Sequence, residues 1–128
     1  MLHIPGLYIA HTDKRGRGVF TAEIIEAKDI IEVCPLIMIP KDQLATIHQT
    51  VLHDYYFLWP TDEGKACMAL GYGSIYNHDF EPNAEVIFDL NTTEIVIQSL
   101  KTIDVGDEIT IDYTGGIRES TRLWFEVK

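Results

Sequence analysis

The chain is poor in cysteine: Cys34 and Cys67 are the only two and no CxxC occurs. That is too few for a disulfide framework or a four-thiolate zinc site, so a reducing compartment is expected. The N-terminus lacks a basic stretch followed by an apolar one, and the longest apolar run is far short of the roughly twenty residues a membrane helix needs. A soluble, intracellular protein without a membrane partner is the expectation. Basic side chains are also scarce, ten Lys and Arg against twenty Asp and Glu, for a formal charge of −10. Such a surface repels a phosphate backbone and attracts cations, which argues against direct nucleic-acid binding. No low-complexity linker, charge block or internal repeat divides the sequence. With 128 residues and 46% hydrophobic content, it fits one domain that folds without metal or disulfide support.

Several catalytic signatures are missing as well. Gly16-Arg17-Gly18 is a G-x-G without the third glycine or a following helical pattern, so it is neither a dinucleotide fingerprint nor a P-loop. It reads as a turn, or as backbone that must come close to a ligand. Ser74 lacks the G-x-S-x-G context of a nucleophile elbow, and neither cysteine lies in a nucleophile motif. His48 and His53 are five apart, not at the i, i+4 spacing of zinc-binding pairs, and are expected on a helix surface. His78-Asp79 suggests a metal or acid–base pair, but no second cluster with ligand spacing accompanies it, so no metal site is expected.

What is present reads as many short strands with short helices. Segments 7–11 and 17–22 are β-favouring and flank the turn Thr12-Asp13-Lys14-Arg15-Gly16. Residues 30–39 predict one or two strands, with a bend or sheet edge at Pro35, which cannot donate to a central ladder. Leu44, Ile47, Val51 and Leu52 fall at helical spacing and predict a helix over 41–53. Strands are expected over 84–90 and 94–100, around Asn91-Thr92-Thr93, and over 109–113 after the turn Asp104-Val105-Gly106-Asp107. The tail 118–128 predicts a short helix whose Leu123, Trp124 and Phe125 form an apolar face that should dock.

The run from Leu70 to Ala84 packs amide, imidazole, aromatic and turn-forming residues into one stretch, the usual composition of a ligand loop. Within it, Asn77 and Asn83 each offer donors and an acceptor. They suit an adenine edge or a polar backbone network, or they cap turns around Pro82. Tyr113 ends the alternating strand Ile109-Thr110-Ile111-Asp112-Tyr113, just before Gly115-Gly116. There a tyrosine projects its hydroxyl into a cleft or buries it on one hydrogen bond.

Taken together and in order, these segments resemble the SET-domain protein lysine methyltransferases. Arg15-Gly16-Arg17-Gly18-Val19-Phe20 resembles the family's opening G-x-G motif. Gly73 to His78 with Glu81-Pro82-Asn83 resembles its NH-x-x-x-PN motif, and Gly106 to Tyr113 its closing G-E-E-[IL]-T-x-D-Y. The resemblance runs from about residue 7 to 115 and is nearest to small stand-alone SET proteins of the viral type, which share Met68-Ala69-Leu70-Gly71. It implies a single SET domain over 1–128, with several small sheets around a knot-like C-terminal crossing and a flanking segment from 116.

By the same resemblance, S-adenosylmethionine is held by Arg15, Gly16, Arg17 and Gly18, by Asn77 and His78, and by Tyr55. Tyr113 matches the catalytic tyrosine. Tyr76, Val86, Trp124 and Phe125 are the implied walls of a channel that admits the substrate lysine from the opposite face. Asp79 departs from the Ser that often follows the Asn-His pair, and Val86 stands where relatives often place an aromatic. The implied activity is methylation of a lysine in a basic protein tail, histone or histone-like, with a homodimer and a chromatin-associated, nuclear location in a eukaryotic or viral setting and a cytoplasmic one in a bacterium. The alternatives are a weakly catalytic SET-like module that binds a basic peptide, or methylation of a non-histone protein.

Overall fold

A computed structural model describes residues 2–60 and 65–112. In chain order the elements are β1 (Leu7–Thr12), β2 (Gly16–Thr21), β3 (Ile30–Ile39), α1 (Lys41–His48), a 3-10 turn (Val51–Asp54), β4 (Tyr56–Leu58), β5 (Ala66–Ala69), β6 (Asn77–His78), β7 (Ala84–Asp89), β8 (Glu94–Ser99) and β9 (Glu108–Ile111). They make a four-stranded sheet in the order β1-β2-β9-β6 and a five-stranded sheet in the order β4-β5-β3-β8-β7. The expected mostly-β class with short helices is what the chain adopts.

Alternation explains the larger sheet. In β8, Ile95, Ile97 and Ser99 are buried while Glu94, Val96 and Gln98 lie on the outer face. Full burial of an isoleucine side chain contributes on the order of 1.5–3 kcal/mol. Val19, Ile109 and Ile111 of the smaller sheet join Cys34, Ile95 and Ile97 of the larger in one core, so the two sheets close on the same apolar mass.

Two expectations are corrected. Pro35 marks neither an edge nor a broken strand, because β3 is a single ten-residue strand at the centre of its sheet. Pro35 is the last residue of β3 paired with β8, opposite Glu94, and Leu36 is the first paired with β5, opposite Ala69. The missing N–H thus falls where the strand changes partner. The helix expected over 41–53 is two pieces: α1 packs Leu44 and Ile47 against Ile39, Tyr56 and Ala66, then the chain breaks at Thr50. The Thr50 hydroxyl donates to Ile47 O at 2.6 Å and accepts from Leu52 N at 3.2 Å, and this local bonding competes with the helical ladder. Val51, expected on the apolar face, is left 76% exposed.

The strands β4, β5 and β6 had no counterpart in the sequence reading. The docked helix over 118–128, the last residue of the 109–113 strand and the C-terminal segment of the knot-like crossing lie outside the described residues.

Candidate active site

Three segments distant in sequence meet at the end of the smaller sheet: the β1–β2 turn, the stretch from β6 to Asn83, and β9. The turn is shaped first by Thr12, whose hydroxyl accepts from Arg15 N at 2.7 Å. β6 then runs parallel to β9, with Asn77 opposite Thr110 and His78 opposite Ile111. Two residues of parallel pairing are weak alone, and side chains supply the rest.

The Asn77 carboxamide donates to Arg17 O at 3.0 Å and to Glu108 Oε2 at 2.7 Å, tying β2, β6 and β9 together. Asn83 clamps β9 in both directions. Its Nδ2 donates to Glu108 O at 2.8 Å and its Oδ1 accepts from Thr110 N at 2.9 Å. Of the roles open to Asn83, the backbone network is therefore the one it fills. Gly18 is buried beneath this joint: a Cβ there would run into Glu108 Oε2 and stand 2.9 Å from Asn77 Nδ2. Glycine at 18 is required by close approach and not by an unusual φ.

Charge is organised around the same joint. Arg15 Nη2 donates to Asp79 Oδ2 at 3.0 Å, and Arg15 Nη1 lies 3.8 Å from Glu108 Oε1. Asp79 Oδ1 also accepts from Glu81 N at 2.9 Å. Burial opposes the charge on Asp79, but the Glu81 N–H and the Arg15 guanidinium outweigh it and hold the carboxyl below its usual range. Asp79 is thus a partner of Arg15, in the position where the family often has Ser.

His78 is 5% exposed, with its ring edge-on to Phe80 at 4.3 Å and its Nδ1 3.8 Å from Asp112 Oδ1. Among the described residues no group of three or more His, Cys, Asp or Glu could hold a metal. The two cysteines are buried thiols. Burial pushes Cys67 up to about 12, and burial followed by the Glu32 carboxylate raises Cys34 further.

The structure therefore brings Arg15, Gly16, Arg17, Gly18, Asn77 and His78 together. Tyr55 lies at the end of the 3-10 turn, just before β4 of the larger sheet, its N–H donating to Leu52 O at 3.0 Å. Val86 is half-buried against the core. Tyr76, expected as a channel wall, is 0% exposed, and its hydroxyl donates to Glu32 Oε1 at 2.8 Å. Tyr113, Trp124 and Phe125 lie outside the described residues. Sequence reasoning passed over Glu108, which joins Asn77 to Arg15; its one signal was its place in the closing acidic motif. It also passed over Glu32, which no motif marked.

Comparison with known proteins identifies the family. The SET domain family matches residues 16–114. Schizosaccharomyces pombe histone-lysine N-methyltransferase, H3 lysine-37 specific, is 38% identical over 121 residues, 94% of this chain and 77% of that protein. Yarrowia lipolytica histone-lysine N-methyltransferase SET9 is 39% identical over 61 residues, 48% of this chain but 7% of that protein. Among solved structures, a Plasmodium falciparum protein described as a histone methyltransferase superposes with a TM-score of 0.63 at 32% identity, covering 84% of this chain and 92% of that one. The match spans most of the chain and the matched segments are those that converge at the site: the chain belongs to the SET-domain family.

Proposed function

We infer that this chain transfers a methyl group from S-adenosylmethionine to a lysine side chain of a histone tail. The observation that carries the reading is the joint of the β1–β2 turn, Asn77 and Glu108, which assembles the family's three motifs into one site. The residues fit the methyl donor. A side chain at Gly16 would meet nothing within 4 Å, so the turn's backbone is open on that side, while Gly18 is closed by Asn77 and Glu108. Backbone groups of Arg15 to Gly18, with Asn77 and the buried His78, would hold the donor. When bound, S-adenosylmethionine supplies a sulfonium-activated methyl group.

The chain's own contribution is alignment and charge. Transfer to an amine is a direct displacement, and pre-paid orientation is worth up to roughly 7–11 kcal/mol of the barrier. No covalent enzyme intermediate is required. Tyr113 follows Asp112 directly, and Asp112 is buried at the end of β9. Its phenol orients the lysine lone pair by hydrogen bonding and electrostatics, without acting as a nucleophile. The formal charge of −10 draws a lysine-rich tail and raises its encounter rate. Direct nucleic-acid binding is disfavoured by the same charge. A histone substrate places the chain in the nucleus, and by its resemblance to the small viral-type SET proteins it acts as a homodimer, which sedimentation would measure.

Purified protein is incubated with methyl-labelled S-adenosylmethionine on histones and on a cell lysate, followed by mass spectrometry of the modified lysine. Labelled histone, and loss of transfer in Tyr113→Phe with cofactor affinity retained, is the expected result. Label on another protein alone moves the substrate outside histones. Cofactor binding with no transfer to any protein leaves a peptide-binding module.

A further inference from the structure

Glu32 is a carboxylate placed where an apolar side chain would be the cheaper choice. It lies on β3, the central strand of the larger sheet, and is 2% exposed. Strict alternation would turn either Ile31 or Glu32 outward, yet both are buried, because the β3–β8 register shifts between Ile30 and Glu32. An irregularity of this kind re-aims a side chain. Here it points Glu32 at the Leu70–Tyr76 loop.

That loop links β5 to β6: Gly73 N donates to Leu70 O at 3.2 Å and Ile75 N to Tyr72 O at 2.8 Å within it, while Leu70 N to Pro35 O at 2.9 Å and Ala69 N to the Ser74 hydroxyl at 3.1 Å tie it to β3 and β5. Glu32 grips it twice. Oε2 accepts from Tyr72 N at 2.9 Å, near the loop's start, and Oε1 accepts from the Tyr76 hydroxyl at 2.8 Å, at its end. Gly71 makes the approach possible: its φ is 68°, and a Cβ there would run into Glu32 Oε2. Tyr76 is followed at once by Asn77 and His78, so the orientation of the whole run entering β6 is set from the opposite sheet. A buried carboxylate is costly to desolvate, and its compensation is directional bonding.

Granted the methyltransferase reading, on which this rests, we propose that Glu32 is a positioning residue for the cofactor site, holding the Leu70–Tyr76 loop so that Asn77 and His78 meet the β1–β2 turn. It touches neither cofactor nor substrate. Without the clamp only a fraction of molecules hold the competent loop, and apparent affinity falls by that fraction while turnover at saturation changes little.

The test is S-adenosylmethionine affinity by calorimetry, together with KM and kcat for labelled transfer, in Tyr76→Phe, Glu32→Ala and Glu32→Gln. Ile39→Val, buried in the separate apolar cluster with Tyr56 and Ala66, serves as the core control. Tyr76→Phe is expected to weaken cofactor affinity about tenfold and raise KM in parallel, with kcat within twofold. Glu32→Gln keeps an acceptor for Tyr72 N and a polar partner for Tyr76, and should recover most of what Glu32→Ala loses. If Glu32→Ala fails to fold, Tyr76→Phe reads the same contact. Affinity in Tyr76→Phe within twofold of wild type overturns the proposal, as does an equal loss in Ile39→Val at the same fall in Tm. A wild-type chain that binds cofactor but transfers no methyl sinks the enzymatic reading alone, since the affinity comparison still decides the role of Glu32.

Discussion

The five-stranded sheet is built from strands of up to ten residues with inward apolar rows, whereas the β6 end of the four-stranded sheet, only two residues long, is joined largely by side chains. Ile95 and Ile97 hold the first by burial, which is non-directional and tolerates small movements. Asn77, Asn83 and Glu108 hold the second by hydrogen bonds that require set angles and distances. A site that must align a methyl group benefits from the second kind of joint, and the larger sheet keeps the chain folded around it. Separate losses of stability and of binding should therefore be obtainable in the two regions.

The largest effect is expected in the apolar region. Ile39→Ala, in the apolar cluster with Tyr56 and Ala66, should cost about 2–5 kcal/mol by urea denaturation, through lost transfer energy and a cavity. Cofactor affinity of the folded fraction should stay within twofold, and a parallel loss of affinity would show that the two regions are not separable. Asn83→Ala comes next, at about 1–3 kcal/mol, because Glu108 C=O and Thr110 N–H lose their carboxamide partner. It should weaken cofactor binding as well, and a purely global destabilisation would count against the joint. Gly18→Ala should lower S-adenosylmethionine affinity about tenfold, about 1.4 kcal/mol, with a smaller fall in Tm, since the new methyl displaces Asn77 and Glu108.

The smallest effect concerns pH. The Asp79 carboxyl is held below its usual range in the folded chain, so its contribution is present above the unfolded value of about 3.9. It is lost as pH falls through the lower, folded value. Urea midpoints between pH 5 and pH 3 should fall more for wild type than for Asp79→Asn. Equal slopes would mean that neither the Glu81 N–H nor Arg15 favours the ionised carboxyl there.

Much of the fold was legible because β1, β2, β3, β7 and β8 are long enough to show β-favouring composition and end at recognisable turns. β4, β5 and β6, at three, four and two residues, are too short for any period to register. Pro35 misled because its cost depends on which partner lies opposite, a fact absent from local sequence. At the site, Arg15 to Gly18, Asn77 and His78 were legible from motif order. Glu108 was not singled out, since an acidic residue after Gly106-Asp107 looks like any solvated turn. The bond from Tyr76 to Glu32 was not legible, because aromatic character does not say which partner receives the hydroxyl.

The sequence by itself determined the strand-rich class, the order of the three motifs and the acidic balance, because these depend on residue type and spacing along the chain. Only the tertiary structure decided that Glu32 reaches Tyr72 and Tyr76, that Asp79 pairs with Arg15, and that Asn83 serves β9. Those contacts join residues 25 to 64 positions apart. Pairings at that separation are chosen by the packing of two sheets on one core, which no local pattern encodes.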